Sequence, residues 1–219
     1  MIMENMIEEA KNPNTSLDKL VMLACYNGWD VREAVANNLS VSPSVLMLLA
    51  HDESWQVREA VAGNPHTSPN ILSLLARDGN VGVRKSVAYN ESTPPDVLAD
   101  LCKDGDVYIR KAVADCPTTP ADILAMLASD EEDEVREVVA GNETTPDEVL
   151  VRLANDGCMH VRWAVAANKS TSLNILGELM NDVEEDVYST AIMRILESSV
   201  EDTPPSSLGG SGNLSMDLG

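Results

Sequence analysis

Phenylalanine is absent from this chain, and aromatic residues make up only 3% of its 219 positions. A single large core is normally filled by such side chains. Their scarcity, beside a 44% hydrophobic content, suits thin layers of small aliphatic residues. Basic residues are few as well, 15 Lys and Arg against 36 Asp and Glu, for a formal charge of −21. DNA and RNA binding draws its affinity from Lys and Arg that displace counterions, so nucleic acid is excluded as a partner. A surface this acidic favours basic partners. No apolar run approaches the ~20 residues of a membrane span. The N-terminal stretch M-I-M-E-N-M-I-E-E-A-K is acidic and lacks the features of a signal peptide, so a cytoplasmic location is expected. The four cysteines, Cys25, Cys102, Cys116 and Cys158, share no common spacing and form no disulfide ladder.

What the chain does have is repetition. An arginine returns every 26 residues, at Arg32, Arg58, Arg84, Arg110, Arg136 and Arg162. Asparagine keeps the same register at Asn12, Asn38, Asn64, Asn90, Asn142 and Asn168, with Cys116 as the exception. Two leucine columns run from Leu20 to Leu176 and from Leu23 to Leu179, and an aspartate column from Asp52 to Asp182. Seven units follow: 12–37, 38–63, 64–89, 90–115, 116–141, 142–167 and 168–193. A fixed period of this length marks a stacked array in which no unit buries its apolar face alone.

Each unit reads as two short helices. In Trp55–Ala62, Val57, Ala60 and Val61 share one helical face. Asn64-Pro65 ends that helix, because the residue before proline disfavours the α region. The second helix follows a polar cap. In four units this is Thr with an acid three residues on: Thr15/Asp18, Thr93/Asp96, Thr119/Asp122 and Thr145/Glu148. The pattern resembles a capping box, with Pro94, Pro120 and Pro146 at the first helical position. Helices this short are marginal alone, so stacking must supply their stability.

The conserved spacing within the unit places Asp52, Asp78, Asp104, Asp130 and Asp156 six residues before Arg58, Arg84, Arg110, Arg136 and Arg162. One reading makes the arginines a row for anionic ligands. The other makes them a structural ladder, bonded to Asp or loop carbonyls of the same or the neighbouring unit. The asparagine amides are expected to satisfy loop backbone groups.

The unit is V-R-x-A-V-A-x-N-P-x-T-P-x-x-L-x-x-L-A-x-D, best seen from Val57 to Asp78. It resembles the leucine-rich repeat variant family over about residues 12–193. The resemblance implies an all-α, right-handed α-solenoid of HEAT-like type, with α-helices alternating with shorter, 3₁₀-like ones. The repeat here is slightly longer than the family's, which leaves room for a fully α second helix. One type of relative carries a cysteine-rich iron–sulfur segment before the repeats. That segment has no counterpart here, and no cofactor is carried over.

The ends depart from the repeat. Residues 1–11 read as an N-terminal capping helix. Residues 184–199 read as a C-terminal one, with Tyr188 where a seventh arginine would stand. Residues 200–219, rich in Gly, Ser and Pro, read as a disordered tail.

No catalytic constellation is present, whether G-x-S-x-G, P-loop or dinucleotide fingerprint. His51, His66 and His160 stand at unrelated phases, and no metal site is expected. The acidic run Asp130–Glu134 lacks EF-hand geometry. The informative positions are those that vary. Phases four apart on the first helix read Trp29/Glu33/Asn37, Trp55/Glu59/Gly63, Val81/Lys85/Tyr89, Val107/Lys111/Asp115, Asp133/Glu137/Gly141 and Met159/Trp163/Ala167. Trp and Tyr commonly anchor interfaces, so Trp29, Trp55, Tyr89, Tyr108 and Trp163 are the partner-binding candidates. Trp29 and Trp55 could equally pack across unit boundaries. The chain therefore reads as a non-enzymatic scaffold for a protein or peptide, basic ones included. The alternatives are an acidic decoy that mimics nucleic acid toward a basic protein, or a metal- or cluster-associated protein by family analogy.

Overall fold

The computed structural model describes residues 2–201. Among them there are 15 α-helices and no strand. The first is α1 (Ile2–Lys11). Helices of the first kind within the repeat are α3 (Trp29–Ala36), α5 (Trp55–Gly63), α7 (Val81–Tyr89), α9 (Val107–Asp115), α11 (Asp133–Gly141) and α13 (Met159–Ala167). Those of the second kind are α2 (Leu17–Ala24), α4 (Pro43–Leu49), α6 (Pro69–Leu75), α8 (Pro95–Leu101), α10 (Ala121–Leu127), α12 (Asp147–Leu153) and α14 (Leu173–Leu179). The last is α15 (Glu185–Glu201). The even helices are α rather than 3₁₀. Of the tail expected from residue 200, Val200 and Glu201 end α15 and the remainder lies outside the described residues.

The odd helices pack on one another in an unbroken row from α1 to α15, and each even helix packs on its odd neighbours in sequence. Side-chain size explains the asymmetry. The odd helices meet through small buried residues such as Ala34, Ala36, Ala60, Ala62, Ala112 and Ala114. The even helices bury branched pairs, Ile71/Leu72 and Ile123/Leu124 among them, and touch one another far less. The odd row is therefore the tighter, inner side of the stack. One core runs its whole length, from Ala10 to Ala191.

No residue among those described has a positive φ, so the odd helices end without a left-handed glycine. Side chains take the last carbonyls instead. The threonine column does this from the loop that follows each odd helix. Thr15, Thr93, Thr119, Thr145 and Thr171 each donate to a carbonyl six residues back, at 2.6 Å. The capping boxes expected on these threonines are therefore not made. The N-cap of the even helix is the next residue, Ser16, Ser42, Ser68 or Ser172, or else Pro94, Pro120 or Pro146. Those prolines thus sit one position earlier than the sequence suggests. The hydroxyl turned out to be needed more by the buried end of the preceding helix than by the exposed start of the next.

The asparagine column joins the units. Asn64 Nδ2 donates to Ala36 O at 2.7 Å, and Asn90 and Asn142 reach Ala62 O and Ala114 O at the same distance. A second, longer bond runs to the carbonyl of the previous column member, as from Asn168 to Asn142 O at 2.9 Å. The Oδ1 of each accepts the N–H two residues on. At Cys116 the column breaks. Its thiol contacts Thr118 Oγ1 at 3.2 Å, and among the described residues no side chain donates to the buried Ala88 carbonyl.

The array stops where its joining residues stop. On α15, Tyr188 replaces the arginine. Ile192 occupies the position at which Ala62 and Ala114 admit the next helix, and it lies exposed. An isoleucine there holds off a further layer, as a terminal cap requires.

Candidate partner-binding face

The arginines make a ladder between units. Each guanidinium grips, through Nε and Nη2, the aspartate 20 residues ahead: Arg32–Asp52, Arg58–Asp78, Arg84–Asp104, Arg110–Asp130, Arg136–Asp156 and Arg162–Asp182, with Nε distances of 2.6 to 2.8 Å. The residue six behind, Tyr26 for Arg32 and an aspartate for the others, contributes its carbonyl to Nη1, as Asp104 does to Arg110 at 2.9 Å. Each carboxylate also accepts the N–H two residues on, Glu132 N–H for Asp130. A row open to anionic ligands would need guanidinium groups turned to solvent. These are turned inward and engaged on three sides.

Burial pushes the Asp130 carboxyl up, but the hydrogen bonds from Arg110 and Glu132 N–H outweigh it, helped by the charges of Arg110 and Arg136. Its pKa lies below the ordinary aspartate value. For Asp156 and Asp182 the arginine hydrogen bond is the largest influence, and the direction is the same.

The first, fifth and ninth positions of the odd helices lie outside this machinery, along the inner side of the stack. There Trp29, Trp55, Tyr89 and Trp163 are all exposed by 42–45%. Tyr108, at the second position of α9, is 60% exposed. Four of the candidates thus stand at phases four apart, on one face of the odd helices, with Tyr108 at its margin. Trp29 and Trp55 are as open as Tyr89 and Trp163.

Charge along this face changes sign twice. Glu33 and Glu59 stand together beside the first two indoles. Burial raises the Glu33 pKa, and repulsion from Glu59 and Asp30 raises it further. Next comes a lysine pair. Lys85 Nζ lies 5.8 Å from the centre of the Tyr89 ring, and Lys111 Nζ meets Glu134 at 2.7 Å. Burial and the neighbouring Asp115 raise the Tyr89 pKa. Glu137 and Trp163 follow at the fifth positions of α11 and α13. Between those two helices lies a trough of about 320 Å³. Its lining combines the apolar Val138, Ala164 and Ala167 with Trp163 and with three carboxylates, Asp115, Glu137 and Glu143, beside Lys169. It exists because the ninth position of α11 is Gly141 where α7 has Tyr89.

The other side of the stack carries a feature the sequence reading passed over. Met22, Leu48, Leu74 and Met126 repeat at one exposed phase of the even helices, flanked by Val21 and Met47. The signal was present, one residue before the second leucine column. It was hidden because an apolar residue beside a core leucine reads as core.

The histidines are all exposed. Cys158 Sγ lies 3.8 Å from His160 Nδ1, yet no group of three or more metal-ligating side chains forms among the described residues. No helix among them is long and apolar enough to cross a membrane.

Repeated two-helix layers, joined by side-chain ladders and leaving a continuous variable face, define an α-solenoid. The leucine rich repeat variant family model matches residues 55–80, the length of one repeat. A solved leucine-rich repeat variant with a novel repetitive structural motif is similar to this chain. It is 29% identical, with a TM-score of 0.63 over 83% of this chain and 73% of its own. The Escherichia coli protein YibA shares the fold at 16% identity, with a TM-score of 0.50 over 91% of each chain. No curated protein matches the sequence.

Proposed function

We propose that this chain is a non-enzymatic scaffold that binds a protein or peptide along the inner face of the odd helices. One observation carries the reading. The residues that build the array repeat from unit to unit, whereas the exposed positions of the odd helices vary and present four half-open aromatic rings on one face. Rigid aromatic side chains of this kind supply interface area at low entropic cost. The net charge of −21 favours a basic partner.

The test is capture of partners from lysate on the full chain, followed by affinity measurements on whichever protein is retained at high salt. Trp163→Glu combined with Tyr89→Glu should weaken that partner by about tenfold or more, with an unchanged melting temperature. Leu48→Glu combined with Leu74→Glu, on the opposite side, should leave it unaffected. The reverse pattern would move the binding surface to the even helices and overturn the reading.

A further inference from the structure

We propose that the trough between α11 and α13 receives an arginine side chain of a basic, extended peptide. This rests on the inner face being the binding face and names the chemistry of its occupant. The shape comes first. Gly141 ends α11, and a Cβ built on it would touch nothing within 4 Å. The small Ala164 and Ala167 line the trough, so it admits the stem of a long side chain. Trp163 lines the trough as well, and an indole face attracts a planar guanidinium.

Charge completes the match. The lining carries three carboxylates, Asp115, Glu137 and Glu143, against one ammonium, Lys169. Lys169 is already drawn to Glu143 at 3.6 Å. Lys111, which stands beside Glu137, is held by Glu134. Asp115 and Glu137 are left to line the trough with no ion pair to a cation among the described residues. Apolar side chains, an aromatic ring and carboxylates in one lining together describe the counterpart of arginine, whose stem is apolar and whose head is a planar cation. A neutral apolar side chain would leave the carboxylates desolvated without compensation.

The test uses the full chain at physiological salt, with a capped peptide of alternating arginine and serine. A matched peptide carries citrulline, the neutral isostere, in place of arginine. The arginine peptide should bind at least roughly tenfold more tightly than the citrulline one. Gly141→Tyr fills the trough with the residue that α7 carries at the same position, and should lower affinity by about tenfold or more. Its backbone is not left-handed, so the fold should persist with an unchanged or higher melting temperature. Glu137→Gln with Asp115→Asn should have a similar effect. Asp18→Asn with Asp122→Asn, the same charge change on the even helices, should shift affinity by less than about twofold. Equal weakening by the two acidic pairs would show general charge attraction and overturn the proposal. So would equal binding of arginine and citrulline peptides, or full binding by Gly141→Tyr. If the arginine peptide fails while a captured partner still depends on Trp163 and Tyr89, the binding face stands and its cationic occupant falls. If that dependence is missing too, both fall.

Discussion

Replacing Cys116 by asparagine should stabilise this protein, which is a rare outcome for a fully buried position. The backbone there has φ −68° and ψ 123°, against −71° and 125° at Asn64 and −71° and 120° at Asn142. An asparagine would thus inherit a geometry already used by its column. Its amide would supply the donor that the Ala88 carbonyl lacks, in the way Asn64 supplies Ala36 and Asn142 supplies Ala114. A second, weaker bond would reach Asn90 O, and Oδ1 would accept from Thr118 N–H.

A net intramolecular hydrogen bond contributes about 0.5–1.5 kcal/mol, and an unpaired buried carbonyl costs about 1–3 kcal/mol. The thiol gives up some apolar burial in exchange. The expected gain is about 1–2 kcal/mol, or roughly 3–6 °C in melting temperature for a chain of this size. Urea and thermal denaturation would measure it. Because each unit contacts only its neighbours, amide exchange should slow most where α7 meets α9. The reciprocal variants Asn64→Cys and Asn142→Cys should lose about as much as Cys116→Asn gains. If those two are destabilised and Cys116→Asn is not stabilised, the column is not held together by its amides and the reasoning is wrong.

Two more predictions follow from the arginine ladder. Arg110→Ala removes the guanidinium from an Asp130 carboxylate that is 8% exposed, and should cost about 3–5 kcal/mol, as breaking a buried ion pair does; an unchanged urea midpoint would contradict the ladder. The ladder aspartates have folded-state pKa values below the ordinary ~3.9, so their contribution is fully present above that value and is lost as pH falls through the lower folded values. Melting temperature should therefore fall steeply with pH below about 4, and Arg110→Met with Asp130→Asn should flatten that slope.

Reading the sequence located the helices well because a stacked array must make the same contacts at every layer. A residue indispensable at one layer is then indispensable every 26 positions, and the columns of Arg, Asp, Asn and Leu are the trace of that demand. The variable positions were legible by the same logic. Four of the five aromatic candidates fall on one face because they stand at phases four apart, on helices whose core phases are buried.

Partner choice within the columns was not legible. Arg58 lies six residues after Asp52, yet it takes that residue's carbonyl and the carboxylate of Asp78. Thr119 precedes a helix by position, but its hydroxyl closes the one before. Asn64 reaches back 28 residues to Ala36. Each of these choices depends on how far one layer sits from the next, and that distance is set by alanine meeting alanine along the odd row. The trough at Gly141 has the same origin, since one missing side chain becomes a cavity only once α13 is placed beside α11. The amino-acid sequence by itself determined the period, the helices and the faces they bury, because these follow from local propensity and repetition. The tertiary structure alone decided which carbonyl, carboxylate or indole each side chain meets, because those contacts are made between layers that the chain brings together only by folding.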